Sequence, residues 1–528
     1  MKRTVALFLT FGMLLCILTG CGQVTDPVPQ TTETTQAPPT TVPTASTAAP
    51  TEPPYQFPAG ASLLMATPEY VEGTLFEQLQ REITGLDLTY LTYAEGFTCQ
   101  PARDKADIEV CSSMKDLDDY SSYGRYVNLL EYRDSMPNFF AIFDSEAWAP
   151  YRELYMASET ELYCAPVPKR FGSQYNAWIY REDIFRELNL EPPTDWESFY
   201  TLLKTLKAAC PESYPLVIWG LDYSLTGFQK FAQQFGVDYI AKGFPSGEDG
   251  LYYDPVSTEE MRLMLTRLRQ LIVEELLHPD CLNGELGGQW RNALKEGSSF
   301  IAHYPVISLQ ALEDAGRKTN PDFSLSCFQN IPMVDSALPF TTRIPSVEGY
   351  YWTVIHDAED IDLAVRYLDW LYSEEGIEAL SWGKEGVTFE VDEAGNKHYT
   401  DTVLQDSRLK ALFASERLSG YIDQEAVLVN YSEKNIQLLL ETVTSAEAGG
   451  FQTPLPLEHF VPELRKAFNR YFSGYMWIRQ KYIENFLTGE LDIRNDAHWQ
   501  EMKDALETNG VSQLLEAYNT ACQANNRE

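Results

Sequence analysis

The sequence is short of basic residues, of histidine and of long apolar runs. Its 528 residues carry 40 Lys+Arg against 77 Asp+Glu, a formal net charge of −37. Neutralising phosphate requires a basic face, so this balance excludes a nucleic-acid binder and docking on anionic lipid through basic residues. Only six histidines occur (His278, His303, His356, His398, His459 and His498), and no two share a metal-ligand spacing. HExxH, a Walker-type Gly loop, GxGxxG and GxSxG are all missing, so no local motif promotes metalloprotease, nucleotide or serine-hydrolase chemistry. A Ser-His-Asp set is assembled in space, so that route stays open. With 77 acids, carboxylate pairs recur everywhere and single out no glycosidase site. The nine cysteines include no CxxC, which argues against both a zinc site and a disulfide framework. Cys99, Cys111, Cys164, Cys210, Cys281, Cys327 and Cys522 therefore read mostly as buried small hydrophobes.

What is present begins at the N-terminus. Lys2 and Arg3 precede a mostly apolar run from Val5 to Leu18. A membrane span needs about 20 apolar residues, so this run reads as an export signal, residues 1–20, and not a retained anchor. Leu18-Thr19-Gly20-Cys21 resembles the bacterial lipobox, in which the Cys is diacylated and becomes the new N-terminus. Two acyl chains give stable anchoring where one does not. An ordinary signal peptide with a Cys at its cleavage site is the alternative. From Gly22 to Pro54, ten Thr and eight Pro fall in 33 residues without an aromatic. Such a segment cannot bury enough apolar surface to fold, and residues 21–54 read as the lipidated Cys and an extended stalk.

From Tyr55 onward short apolar runs alternate with amphipathic helices, the pattern of an α/β fold. Strands are predicted at Ser62–Ala66, Leu86–Tyr93, Asp107–Cys111, Pro215–Ile218 and Phe300–Ala302. Helices are predicted after Thr194 through a capping box with Glu197, after Ser257 with Glu260, from Ile361 to Leu371, and from Val461 to Tyr475. The turn Asp392-Glu393-Ala394-Gly395-Asn396 reads as a hairpin turn, lacking the ligand alternation of a calcium loop. Aromatics are abundant: 10 Trp, 31 Tyr and 26 Phe. They fill cores, and they also stack on the apolar faces of sugars.

Three stretches carry a family resemblance. They are Ala177-Trp178-Ile179-Tyr180-Arg181-Glu182-Asp183 with the ELNLEPPTDWESFYTLLKTLK run, Gly250-Leu251-Tyr252-Tyr253 through LRQLIVEELLHPD, and Ala364 to Asp401. The C-terminal YIENFLTGELDI…WQEMKDALETNGVSQLLEAYNTA run adds to them. The chain resembles the extracellular solute-binding proteins of family one, in the long lipoprotein branch that binds oligosaccharides for ABC importers. The resemblance implies an α/β, two-lobed, periplasmic-binding-protein-like fold with a hinge and a large helical C-terminal portion. It implies a first lobe from 55–178 and 332–400, and a second from 179–331 and 401–528. The ligand-contact candidates it suggests are Tyr70, Asn176, Trp178, Trp219, Asp222, Tyr223, Tyr304, Trp382 and Glu385, with lipid on Cys21. Trp178 reads equally well as core, and His303 reads as a satisfied core histidine beside the better candidate Tyr304. Many relatives carry a calcium loop after the equivalent of Leu206; Cys210-Pro211-Glu212-Ser213-Tyr214 stands there instead, so no metal and no cofactor is expected. The implied function is capture of a saccharide by a monomer held outside the cell membrane, and its delivery to ABC permease subunits without catalysis. A surface glycoside hydrolase or lyase, an orphan sensing lipoprotein and a binder of another nutrient are the alternatives. Uronates are disfavoured by the charge unless a local Arg cluster overrides it, and Arg343 is one isolated candidate.

Overall fold

The computed structural model describes residues 55–93, 105–111, 117, 120–149, 152, 155–167, 175–218, 226–239, 244–245, 247, 250–281, 289–334, 342–343, 350–448, 451–452 and 462–525. All lie in one compact unit of the chain, Thr35–Glu528. In chain order the strands are β1 (Ser62–Thr67), β2 (Asp87–Thr92), β3 (Ile108–Cys111), β4 (Ala165–Pro166), β5 (Asn176–Arg181), β6 (Leu216–Ile218) and β7 (Ile301–Pro305). They continue with β8 (Leu325–Phe328), β9 (Thr342–Arg343), β10 (Tyr351–Val354), β11 (Phe389–Val391), β12 (Lys397–Tyr399) and β13 (Phe451–Gln452). The helices that matter below are α1 (Leu75–Thr84), α2 (Trp196–Ala209), α3 (Glu259–Val273), α4 (Trp290–Glu296), α5 (Ile361–Trp370), α6 (Glu374–Ser381), α7 (Ser407–Leu412), α8 (Glu433–Ala448) and α9 (Ser473–Thr488).

Two sheets organise two separate hydrophobic cores. The first has strand order β2-β1-β3-β10-β4 and the second β6-β7-β5-β8. Leu63, Leu88, Ile108, Val354 and Leu368 belong to the first core; Ile179, Val217, Leu265, Ile301 and Phe486 belong to the second. Val167 packs with the first core and Tyr175 with the second, Val334 with the second and Tyr350 with the first, and the chain changes core again where Val429 packs on the first and Leu438 on the second. This last passage corrects an expectation. The first lobe does not end at residue 400, because Val403, Leu409, Leu412, Phe413 and Ile422 pack into its core. Residues 175–178 likewise pack with the second core, ahead of the boundary expected after Trp178.

Topology fixes which ends of the two sheets lie nearest the crossings. β4 leaves the first sheet toward residue 168, and the Val167 amide donates to the Tyr350 carbonyl at 3.0 Å as the chain re-enters. β10 runs antiparallel to β4 and β3, and β3 is parallel to β1, so Cys111 and Thr67 point to that same end. In the second sheet β5 enters from the crossing at Asn176. Antiparallel β7 and β8 return to it at Pro305 and Phe328, and β6, parallel to β7, ends there at Ile218. The carboxyl ends of β1, β3, β6, β7 and β8 thus all meet the linked edges.

Local chemistry sets the elements. Gly85 ends α1 at φ 70°, in the left-handed region that Gly enters without Cβ strain. The α2 capping box is Asp195 with Ser198, not Thr194 with Glu197, because Asp195 Oδ1 accepts the Ser198 amide at 2.8 Å. Thr258, not Ser257, caps α3; Ser257 is held in a preceding turn by Asp254 Oδ2 at 2.6 Å. Ser373 caps α6 through the Gly376 amide at 3.1 Å. The C-terminal helical run contains a π-helical segment, Phe468–Phe472, which stacks those two rings at a centroid distance of 3.8 Å. The 392–396 segment is the turn of the β11–β12 hairpin: Asp392 Oδ1 accepts the Ala394 and Asn396 amides at 2.9 and 2.8 Å.

Candidate site at the linked sheet ends

On the first lobe the loop after β1 carries Glu69 and Tyr70 at the linked end. Tyr70 is 57% exposed. The Arg408 guanidinium, from α7, lies 4.4 Å from its ring centroid and donates to the Tyr70 and Glu72 carbonyls, each at 3.2 Å. Beside it Arg417 bridges Glu69 Oε1 at 2.8 Å and donates to the Tyr350 hydroxyl at 2.6 Å. Arg417 is also fixed through its backbone, whose carbonyl accepts from Thr67 Oγ1 at 3.1 Å.

On the second lobe Asn176 and Tyr304 come together on adjacent strands, with Asn176 opposite Pro305 and Ala177 opposite Tyr304. The Tyr304 ring packs on Trp290 at 4.2 Å, and its hydroxyl accepts from Arg291 Nη2 at 3.0 Å. Both partners open α4, which runs back along the sheet. His303 is 3% exposed; its Nε2 meets Asn330 Oδ1 at 2.7 Å, and Asn330 in turn donates to the Asn176 carbonyl at 3.2 Å. His303 is therefore a satisfied buried histidine, as its sequence context suggests. Cys327 on β8 is pushed up to about 11 by burial, which keeps it a thiol and not a nucleophilic thiolate at neutral pH.

Three of the predicted contacts do not belong to this end as usable surface. Trp178 is fully buried in the second core, packed on Phe199, Phe231 and Phe328, and its indole donates to Gln234 Oε1 at 2.8 Å. Trp382 is fully buried in the first core with Phe389 and Tyr399, its indole donating to Asp423 Oδ2 at 2.6 Å. A core position claims each ring because only burial uses so large an apolar area. Glu385 is exposed but at the far end of the first lobe. Its neighbour Lys384 pairs with Glu82 in the last turn of α1, and Gly85, just beyond, bonds Gly60 ahead of β1. Trp219, Asp222 and Tyr223 follow β6 but lie outside the described residues, as do Cys21 and the Arg343 side chain. Where a calcium loop was weighed, Ser213 closes a turn on the Cys210 carbonyl at 2.7 Å, and the Lys207 ammonium donates to the Ser213 carbonyl at 2.9 Å.

Sequence reasoning missed Arg291, Arg408 and Arg417. Arg408 and Tyr70 are 338 positions apart, and no local pattern links them.

No protein-family profile matches the sequence, and no curated protein does. Solved structures do. The alginate-binding protein AlgQ2, without calcium ion, matches with a TM-score of 0.67 at 17% identity, over 88% of this chain and 98% of that one. An HMO-binding ABC-transporter-associated solute-binding protein from Bifidobacterium longum infantis matches with a TM-score of 0.66 at 14% identity, over 87% and 98%. The S. pneumoniae ABC-transporter substrate-binding protein FusA, in complex with kestose, matches with a TM-score of 0.68 at 14% identity, over 89% and 100%. The chain has the two-lobed α/β fold of these ABC-transporter solute-binding proteins.

Proposed function

We propose that the chain is a membrane-anchored extracellular lipoprotein that captures an oligosaccharide and hands it to an ABC importer. The observation that carries this reading is the convergence of strand carboxyl ends from both sheets on the crossings, the usual ligand position in open α/β sheets. Tyr70, Asn176 and Tyr304 stand at those ends. The similar structures named above bind saccharides by their own descriptions. Sugar bridging both lobes would stabilise a closed form, and the permease would select that form. The protein acts as a monomer, and diacylated Cys21 with the Thr/Pro stalk holds it at the membrane.

A glycoside hydrolase would need two free carboxylates about 5–9.5 Å apart. Glu69 at the linked end is engaged by Arg417 and so is not such a free carboxylate. Small-angle scattering tests the closure. A saccharide that raises the unfolding temperature should, at saturation, reduce the radius of gyration of the purified protein. Unchanged scattering with the sugar bound contradicts a two-lobe clamp.

A further inference from the structure

We infer that the solute carries a carboxylate, held by Arg408 on the first lobe and Arg291 on the second; this deepens the saccharide-binding reading and rests on it. The chain holds 77 acidic against 40 basic residues, so an exposed arginine has acidic partners in excess. Several arginines elsewhere take them: Arg81 pairs with Glu77, Arg181 with Asp183 and Arg262 with Asp496, while others such as Arg267 and Arg366 are held by backbone carbonyls. Arg408 and Arg291 are both exposed, and no carboxylate among the described residues lies within ion-pair distance of either. On the first lobe Arg417 shows the contrast, since Glu69 neutralises it.

Both guanidiniums are nevertheless fixed. Arg408 is held by two backbone carbonyls and the face of Tyr70. Arg291 is held by the Tyr304 hydroxyl, with its guanidinium carbon 5.6 Å from the Tyr304 ring centroid and 5.1 Å from that of Trp290. In each case the hydrogen bonds come from Nη2, which leaves Nε and Nη1 as donors in a set orientation. A planar fork fixed beside an aromatic ring matches a sugar that presents a C–H face to the ring and a carboxylate to the fork. A neutral sugar would use the ring and leave the charge without a partner. The net charge of −37 does not oppose this, because exposed charges more than about 8 Å away are screened at physiological salt.

Titration calorimetry of the purified protein tests the inference with oligomers of galacturonate, glucuronate and mannuronate, three to five units long. Each is run beside its carboxyl-reduced neutral counterpart. At least one acidic oligomer should bind roughly tenfold or more tightly than its counterpart, the yield of one charge-assisted fork. That preference should shrink as salt rises, and in Arg408→Gln and Arg291→Gln. Exposure of both side chains means that the variants should unfold at the wild-type denaturant midpoint. If neutral oligomers bind as tightly as acidic ones, or if neither salt nor the Gln variants change the preference, the inference is overturned while saccharide capture stands. If no saccharide of either kind binds, both readings fall.

Discussion

Tyr70 and Tyr304 share a chemistry that neither neighbouring sequence announces: a ring that is not fully buried, with an arginine laid against it. Trp178 and Trp382 have the opposite disposition, with rings fully buried and indole N–H groups spent on Gln234 and Asp423. Mutations separate the two kinds. Trp178→Ala should cost about 3–5 kcal/mol of stability through the cavity it leaves, read as a lowered urea midpoint. Tyr70→Ala, at a 57% exposed position, should stay within about 0.5 kcal/mol in the same experiment while weakening ligand affinity. Equal loss of stability in both would show that Tyr70 is packing. Residue type pointed to all four aromatics, but whether a ring belongs to core or surface depends on strands and helices far away in sequence. The alternation Ala177-Trp178-Ile179 cannot reveal it, because β5 is buried on both faces and its strand pattern is continuous.

At the scale of elements, the tightest constraint lies between α5 and α6. Gly376 sits where an added Cβ would stand 1.9 Å from the Trp370 carbonyl oxygen, a backbone atom with no rotamer to yield. Gly376→Ala should therefore destabilise by about 1–3 kcal/mol or more, since backbone must shift. Gly395→Ala is the contrast in kind. It has open space around it, and its strain comes from a φ of 84° alone. Urea unfolding of both variants compares steric with conformational cost; a neutral Gly376→Ala would contradict the packing described. Elements of this type were readable in advance. The Ile361 helix and the hairpin over Asp392 both follow from periodicity and turn chemistry carried within a dozen residues. The exact caps at Asp195 and Thr258 were less legible, because adjacent hydroxyl and carboxylate residues compete for the same amides.

Over the whole molecule, two cores and three crossings decide what the chain can do. The fold class follows from strand–helix alternation, whereas the last crossing does not. Val403 to Ile422 and Leu438 to Leu487 read alike as amphipathic helices, and only packing assigns the first group to one lobe and the second to the other. The site shares this property. Its strand-end residues can be named from β-strand positions, but its arginines arrive from α4 and α7, and sequence distance hides them. The central claim is that these linked ends clasp a saccharide and leave it intact. Isothermal titration of the purified protein with a panel of acidic and neutral oligosaccharides, followed by chromatography of the recovered sugar, tests it most directly. Saturable binding of one sugar per chain with the sugar returned at its original length is the predicted result. Absence of binding across the panel, or recovery of shortened products, would contradict it.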